Sequence, residues 1–350
     1  MRYIDLPVGA GAESVRPAEI LKASKLCFGS LCIGPLQADL SVKDGAEVIS
    51  RAFDLGVNFI DTAQLYGTYP HIKAALVSRR SKDKKNKKDK DNKIIISTKT
   101  YAHTRKLAKE ALAEVLRELD ADCVDIFLLH EQESVQTVYG HIEALEYLFE
   151  QKKAGRIKAV GISTHHVSGV SGAVEFNKTY KKDKLEVIHP MHNITGLGII
   201  PENNKSTAIS QMDAALTEAK KSGFFIFSMK PLGGGNLFAR AEEALGFSLG
   251  KPFIDSVAVG MKSAEEVDAN VSFFEIGKFT DGYYKNYAQN NGGKRLHIDG
   301  WCGGCGKCAA ACPSGALTVN SGGAAECDYG KCVLCGYCST ACGSFAIKIV

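Results

Sequence analysis

Only three cysteines, Cys27, Cys32 and Cys123, occur in the first 301 residues of this 350-residue chain, which holds twelve in all. So sparse a set cannot frame a disulfide-stapled fold, and small buried hydrophobes is the reading for all three. No run of 18 apolar residues exists, so no membrane-spanning helix is expected. Met1 to Gly11 lacks a basic stretch leading into an apolar core, so secretion is not expected. Gly9-Ala10-Gly11 lacks the third glycine and the following helix of a dinucleotide fingerprint. The run from Arg79 to Lys93 carries nine basic and three acidic residues but no aromatic. Without rings to stack on bases it does not read as a nucleic-acid site; a solvated loop is expected, with an acidic docking partner as the alternative. That run alone carries +6 against +4 for the whole chain, so the remainder sums to −2.

What is abundant lies at the other end. Nine cysteines follow residue 301, as Cys302-x2-Cys305-x2-Cys308-x3-Cys312-Pro313 and Cys332-x2-Cys335-x2-Cys338-x3-Cys342, with Cys327 between the runs. Thiolates at this spacing reach three corners of one cubane, while the fourth ligand ties two halves together. Zinc also binds CxxC pairs, but it gives no reason for the repeated three-residue gap or for Pro313. Ligating thiolates need a reducing compartment, so a cytoplasmic protein is expected.

The segment resembles a two-cluster bacterial ferredoxin over its whole length, which implies a small α+β fold. The resemblance implies one [4Fe–4S] cluster on Cys302, Cys305, Cys308 and Cys342, and another on Cys332, Cys335, Cys338 and Cys312. Gly343 stands where proline is usual, and Cys327 is left spare.

With 45% apolar and 23% charged residues, the chain can bury a normal core, and its length suits one large and one small domain. From Leu26 to Phe274, short apolar runs alternate with amphipathic stretches. Strands are expected at Leu26–Gly29, Asn58–Asp61, Ile94–Lys99, Val124–His130, Ala159–Ser163, Glu186–His189, Phe224–Met229 and Ser256–Gly260. Eight strands, each followed by a helical stretch over roughly 250 residues, describe a (β/α)8 barrel. Order alone also allows a doubly wound sheet. The chemistry at the strand ends favours the barrel. Asp61, Lys99 and His130 end three successive strands, and Tyr66 follows the first of them. One barrel mouth would gather all four; singly, each has an ordinary packing or capping explanation.

These motifs carry a second resemblance. GVNFIDTAQLYG (Gly56–Gly67), KAGRIKAVGIS (Lys153–Ser163), FSMKPLGGG (Phe227–Gly235) and VGMKSAEEVDANV (Val259–Val271) are similar to aldo-keto reductase motifs. The resemblance implies an NAD(P)H-dependent oxidoreductase moving a hydride to a small carbonyl, or from an alcohol. Tyr66 would be the general acid, Lys99 would lower its pKa, Asp61 would hold Lys99, and His130 would orient the carbonyl. Cofactor contacts are implied at Ser163, Thr164, His189, Met229, Lys230, Gly233, Gly234 and Gly260. Lys262, Ser263, Glu266 and Asn270 would hold the adenosine end, with NADP favoured over NAD. Thr164, His189 and Met229 depart from the residues usual around the nicotinamide. No flavin motif appears, though a barrel mouth has room for a flavin.

The expected organisation is a barrel over 1–275, a linker over 276–300 and an iron–sulfur domain over 301–350. Tyr283, Tyr284 and Tyr287 are expected to pack on the barrel. The tail would exchange electrons with the barrel or a redox partner, or else serve as a structural or docking module beside a plain carbonyl reductase. A degenerate barrel that only carries the clusters is a third reading.

Overall fold

The computed structural model describes residues 1–8, 19–86, 93–279, 295–312, 315–332 and 336–350. Gly9 to Gly11, the later part of the basic run, the three linker tyrosines, Pro313 and Cys335 lie outside the described residues. Eight parallel strands close on themselves: β3 (Leu26–Gly29), β4 (Phe59–Asp61), β5 (Ile95–Thr100), β6 (Val124–Leu129), β7 (Ile157–Thr164), β8 (Val187–Pro190), β9 (Phe225–Ser228) and β10 (Ser256–Gly260). β10 returns to β3 with Val257 opposite Leu26, which completes the barrel. Every residue of β5, β6, β7 and β8 is buried, as parallel strands covered on both faces must be.

Helices ring the barrel where the periodicity places them. α1 (Val42–Asp54) starts at Ser41, whose hydroxyl accepts the Asp44 N–H, and buries Val48, Ile49, Ala52 and Phe53. α2 (Tyr69–Asn86) was not anticipated, and it corrects the expected loop, because the basic run begins inside it. Buried Tyr69, Ile72 and Ala75 anchor its start, and lysine and arginine are good helix formers on a solvated face. α3 (Arg105–Leu119) is capped by Thr104 and buries Ala108, Leu112, Val115 and Leu119. A short helix, α4 (Val135–Gly140), precedes α5 (Ile142–Lys153), and α6 (Val167–Thr179) and α7 (Ala208–Lys221) follow. After β9 the chain makes tight turns at Gly233–Gly235 and Phe238–Arg240 before α8 (Ala241–Leu249), and α9 (Ala264–Ile276) follows β10.

A hairpin of β1 (Tyr3–Val8) and β2 (Glu19–Ser24) also escaped the sequence reading. Its Leu6, Val8, Leu21 and Ala23 join the interior cluster of Cys27, Phe59 and Phe227 and close the barrel at the strand N-termini.

The C-terminal segment builds two antiparallel ribbons. β11 (Leu296–Ile298) pairs with β14 (Ile347–Ile349), and β12 (Leu317–Val319) with β13 (Ala325–Cys327). One-turn helices at Lys307–Ala310 and Tyr337–Ala341 carry Cys308 and Cys338. Its sheet therefore begins at Leu296, inside the stretch expected to be a linker.

One side chain leaves this small core for the large one. Phe345, 1% exposed and at φ +54°, packs with the barrel core rather than with its own segment. A Cβ on Gly198 would lie 1.7 Å from its ring, and one on Gly234 2.7 Å away, so both positions require glycine. Burying such a ring contributes about 2–3 kcal/mol. The Thr340 hydroxyl donates to Asn236 Oδ1 at 3.2 Å, a second tie beside the same loop.

Candidate active site and iron–sulfur segment

The strand C-termini bring Asp61, Lys99 and His130 to one mouth, and the tight turn Gln64–Tyr66 brings Tyr66 over it. Lys99, 1% exposed, donates from Nζ to Asp61 Oδ2 at 2.7 Å and to the Thr62 carbonyl at 2.8 Å. Burial pushes Asp61 up, but Lys99 and then His189 outweigh it and hold the carboxyl at about 2. The ammonium also sits 4.9 Å from the centre of the Tyr66 ring. His130 meets that ring edge-on at 5.8 Å and stacks on Tyr101 at 4.4 Å. Burial, then Lys99, drives His130 well below the usual imidazole range, so the ring is neutral. Its Nδ1 and Asp61 Oδ1 are buried polar atoms with no hydrogen-bond partner among the described residues.

Tyr66 departs from expectation. Its pKa lies well above the ordinary phenol value, through burial first and then the nearby Asp61 carboxylate. Lys99, paired with Asp61 and 4.9 Å from the ring centre, does not reverse this. The phenol therefore holds its proton at neutral pH, which suits an acid.

Beside the tetrad lies a cavity of about 170 Å³. Asp61 and Tyr66 line it, as do His189, Met229, Lys230, Gly234, Gly260, Lys262 and Glu266 from the expected cofactor residues. Ser163, Thr164 and Asn270 are wholly buried and do not line it. The Ser163 hydroxyl accepts the Glu131 N–H at 2.9 Å, and Thr164 Oγ1 accepts that of His166 at 2.9 Å. His189 bonds the Phe227 carbonyl through Nδ1 at 2.6 Å and turns Nε2 to Asp61 at 3.5 Å. Gly233, Gly234 and Gly235 all have positive φ, and within the turn the Gly233 and Gly235 N–H groups donate to the Lys230 and Leu232 carbonyls at 2.9 and 3.0 Å. Ser263 caps α9, and Glu266 accepts the Lys262 N–H at 2.7 Å, which draws both into the helix start. A phosphate at that end would meet a 13-residue helix N-terminus with Lys262 beside it.

Sequence reasoning missed two groups. Tyr101 directly follows β5 and Glu131 lies two residues past β6, on either side of His130, and those positions were the available signal. Lys348, Ile349 and Val350 also line the cavity, although they belong to the cysteine-rich segment. Nothing in sequence order points to that approach.

The described tail cysteines fall into two groups. The Cys308 thiol, raised by burial, feels Cys302 and Cys342. Cys327 is pushed up to about 11 by burial and then by Cys332, with Cys338 and Cys312 adding. Cys327 thus stands beside Cys332, and among the described residues no three metal-binding side chains converge on one point. The Ala325 N–H donates to Cys302 Sγ at 3.3 Å and the Ala316 N–H to Cys312 Sγ at 3.2 Å, bonds that also suit cluster thiolates.

Residues 25–244 match the aldo/keto reductase family. The chain belongs to that family. Residues 301–346 match the 4Fe-4S dicluster domain, so this aldo/keto reductase carries an iron–sulfur segment. Methylglyoxal reductase DkgA of Escherichia coli is 27% identical over 158 residues, 42% of this chain and 54% of its own length. The chain thus spans about half of that relative. The uncharacterized oxidoreductase YqkF of Bacillus subtilis is 21% identical over 294 residues, 75% of this chain and 92% of its own. Aldo-keto reductase AKR11C1 from Bacillus halodurans, a holo form, shares the fold with a TM-score of 0.56 and 20% identity. That match covers 82% of this chain and 96% of the other. Among the described residues no helix is long and apolar enough to cross a membrane.

Proposed function

We propose that the barrel reduces small carbonyl compounds with a nicotinamide cofactor, NADP before NAD, at the mouth defined by Asp61, Tyr66, Lys99 and His130. The observation that carries this is the buried Asp61–Lys99 pair lying under the ring of a protonated Tyr66. The cofactor, when bound, supplies the hydride that no side chain can supply. Tyr66 donates its proton to the substrate oxygen as negative charge develops there, and the ammonium of Lys99 stabilises the phenolate left behind. Asp61 fixes Lys99, and neutral His130 borders the carbonyl. Gly233 and Gly234 would receive the pyrophosphate, and Lys262 and Ser263 a 2′-phosphate. The names of the relatives make methylglyoxal the first substrate to try.

The cysteine-rich segment would hold two [4Fe–4S] clusters on the two ligand sets and pass single electrons to or from a group at the mouth or a redox partner. Phe345 in the barrel core and Lys348 in the cavity wall favour a second reading, in which the segment is a fixed structural wall. Anaerobic mixing of the cluster-loaded protein with NADPH separates the two. Visible bleaching and a low-temperature EPR signal at the rate of turnover are expected for an electron path. Bound NADPH beside clusters that stay oxidised would leave the segment as structure.

A further inference from the structure

Lys230 lies two residues past β9 at φ +57° and lines the cavity. Its Nζ lies 3.3 Å from His165 Nε2 and 4.5 Å from the centre of the Phe345 ring. Of the four lysines at or beside the mouth, Lys230 and Lys262 have no carboxylate within ion-pair distance among the described residues, while the other two each have one. Lys99 has Asp61, and Lys348 is tightly paired with Asp299. A half-buried cation without a counter-charge calls for an anion. Burial, and then Lys348, lower Lys230 to about 8, against the weaker pull of Glu131 and Asp299, so it is still mostly charged at neutral pH.

The direction of the side chain decides which anion. Lys230 contacts His165, whose Nε2 is 3.7 Å from Glu131, and Glu131 accepts the hydroxyl of Tyr101, the ring stacked on His130. It therefore faces the His130 side of the mouth, where the substrate carbonyl would lie. His165 is driven neutral by burial and by Lys230 itself, so it adds no competing charge.

We propose that Lys230 and Lys348, one from the barrel and one from the iron–sulfur segment, form an oxyanion subsite that selects small carbonyl substrates carrying a carboxylate. This rests on the carbonyl-reductase reading and names its substrate class. A 2-oxo acid or an aldehyde acid would place its carboxylate on the lysines and its carbonyl under Tyr66. The iron–sulfur segment then contributes to substrate choice whether or not its clusters carry electrons.

The test uses the full-length, cluster-loaded protein and its Lys230→Met and Lys348→Met variants. Butanoate, a carboxylate that cannot be reduced, is titrated by calorimetry; succinic semialdehyde and its uncharged methyl ester are compared in turnover with NADPH. Wild type should bind butanoate, and Lys230→Met should weaken that binding about tenfold or more. The acid-over-ester ratio of kcat/KM should fall by a similar factor, and less in Lys348→Met, whose charge Asp299 already offsets. Absence of butanoate binding, or equal losses for acid and ester together with weakened NADPH binding, overturns the proposal; the latter assigns the cation to a cofactor phosphate. Butanoate binding that needs Lys230, without turnover of either aldehyde, upholds the subsite and removes the reductase reading instead.

Discussion

Replacing Tyr66 with phenylalanine should lower kcat for NADPH-dependent reduction of methylglyoxal by about a hundredfold to ten-thousandfold, the range for loss of a positioned general acid. The ring keeps its place beside His130 and over Lys99, so NADPH affinity should stay within a small factor of wild type. A variant that retained turnover would remove Tyr66 from the chemistry. The phenol's raised pKa sharpens the expectation. Because it stays protonated through neutral pH, the kcat profile should show no loss of this acid between pH 6 and about 9. Burial and the Asp61 carboxylate both oppose ionisation, and Lys99 stabilises the phenolate only after the proton has moved.

The second large effect concerns the pair beneath it. Lys99→Met leaves Asp61, 5% exposed, as a buried carboxylate beside His189 at 3.5 Å, a ring that burial holds below the usual imidazole range. Breaking a buried pair from one side costs about 3–5 kcal/mol, whereas replacing both members is far milder. Lys99→Met should therefore unfold at markedly lower denaturant, and Asp61→Asn with Lys99→Met should recover most of the difference. The sign with pH follows. In wild type Asp61 is held at about 2, so its contribution is complete above the ordinary carboxylate pKa and is lost as pH falls toward 2. In Lys99→Met the carboxyl is pushed up instead, so the deficit should narrow as pH falls from 7 to 5. Equal losses in the single and double variants would mean that the pair carries no such coupling.

Much of this was legible beforehand. The eight strands announced themselves because parallel strands buried on both faces are continuous apolar runs, and Asp61, Lys99 and His130 because polar residues end those runs. The cysteine spacing marked the iron–sulfur segment, and its resemblance to a two-cluster ferredoxin implied the ligand sets. The hairpin at the N-terminus was missed because its work, closing the barrel floor through Leu6 and Leu21, is a contact distant in sequence. α2 was missed because a lysine-rich surface looks alike as helix or loop when only its first turns are anchored. The net rise of the Tyr66 pKa was not legible, since the sequence places a lysine near a phenol but does not record the burial and the Asp61 carboxylate that oppose ionisation. The reach of Phe345 and Lys348 into the mouth depends on how two separate cores dock, which no local pattern records.

Transfer of deuterium from 4-deuterated NADPH decides most directly whether this mouth performs the chemistry. With methylglyoxal and the full-length protein, the label should appear on the new carbinol carbon of the product, one deuteron per molecule. Product reduced at the expense of NADPH but carrying solvent hydrogen at that carbon would contradict direct hydride transfer at the Tyr66 mouth and would route the electrons through the iron–sulfur segment.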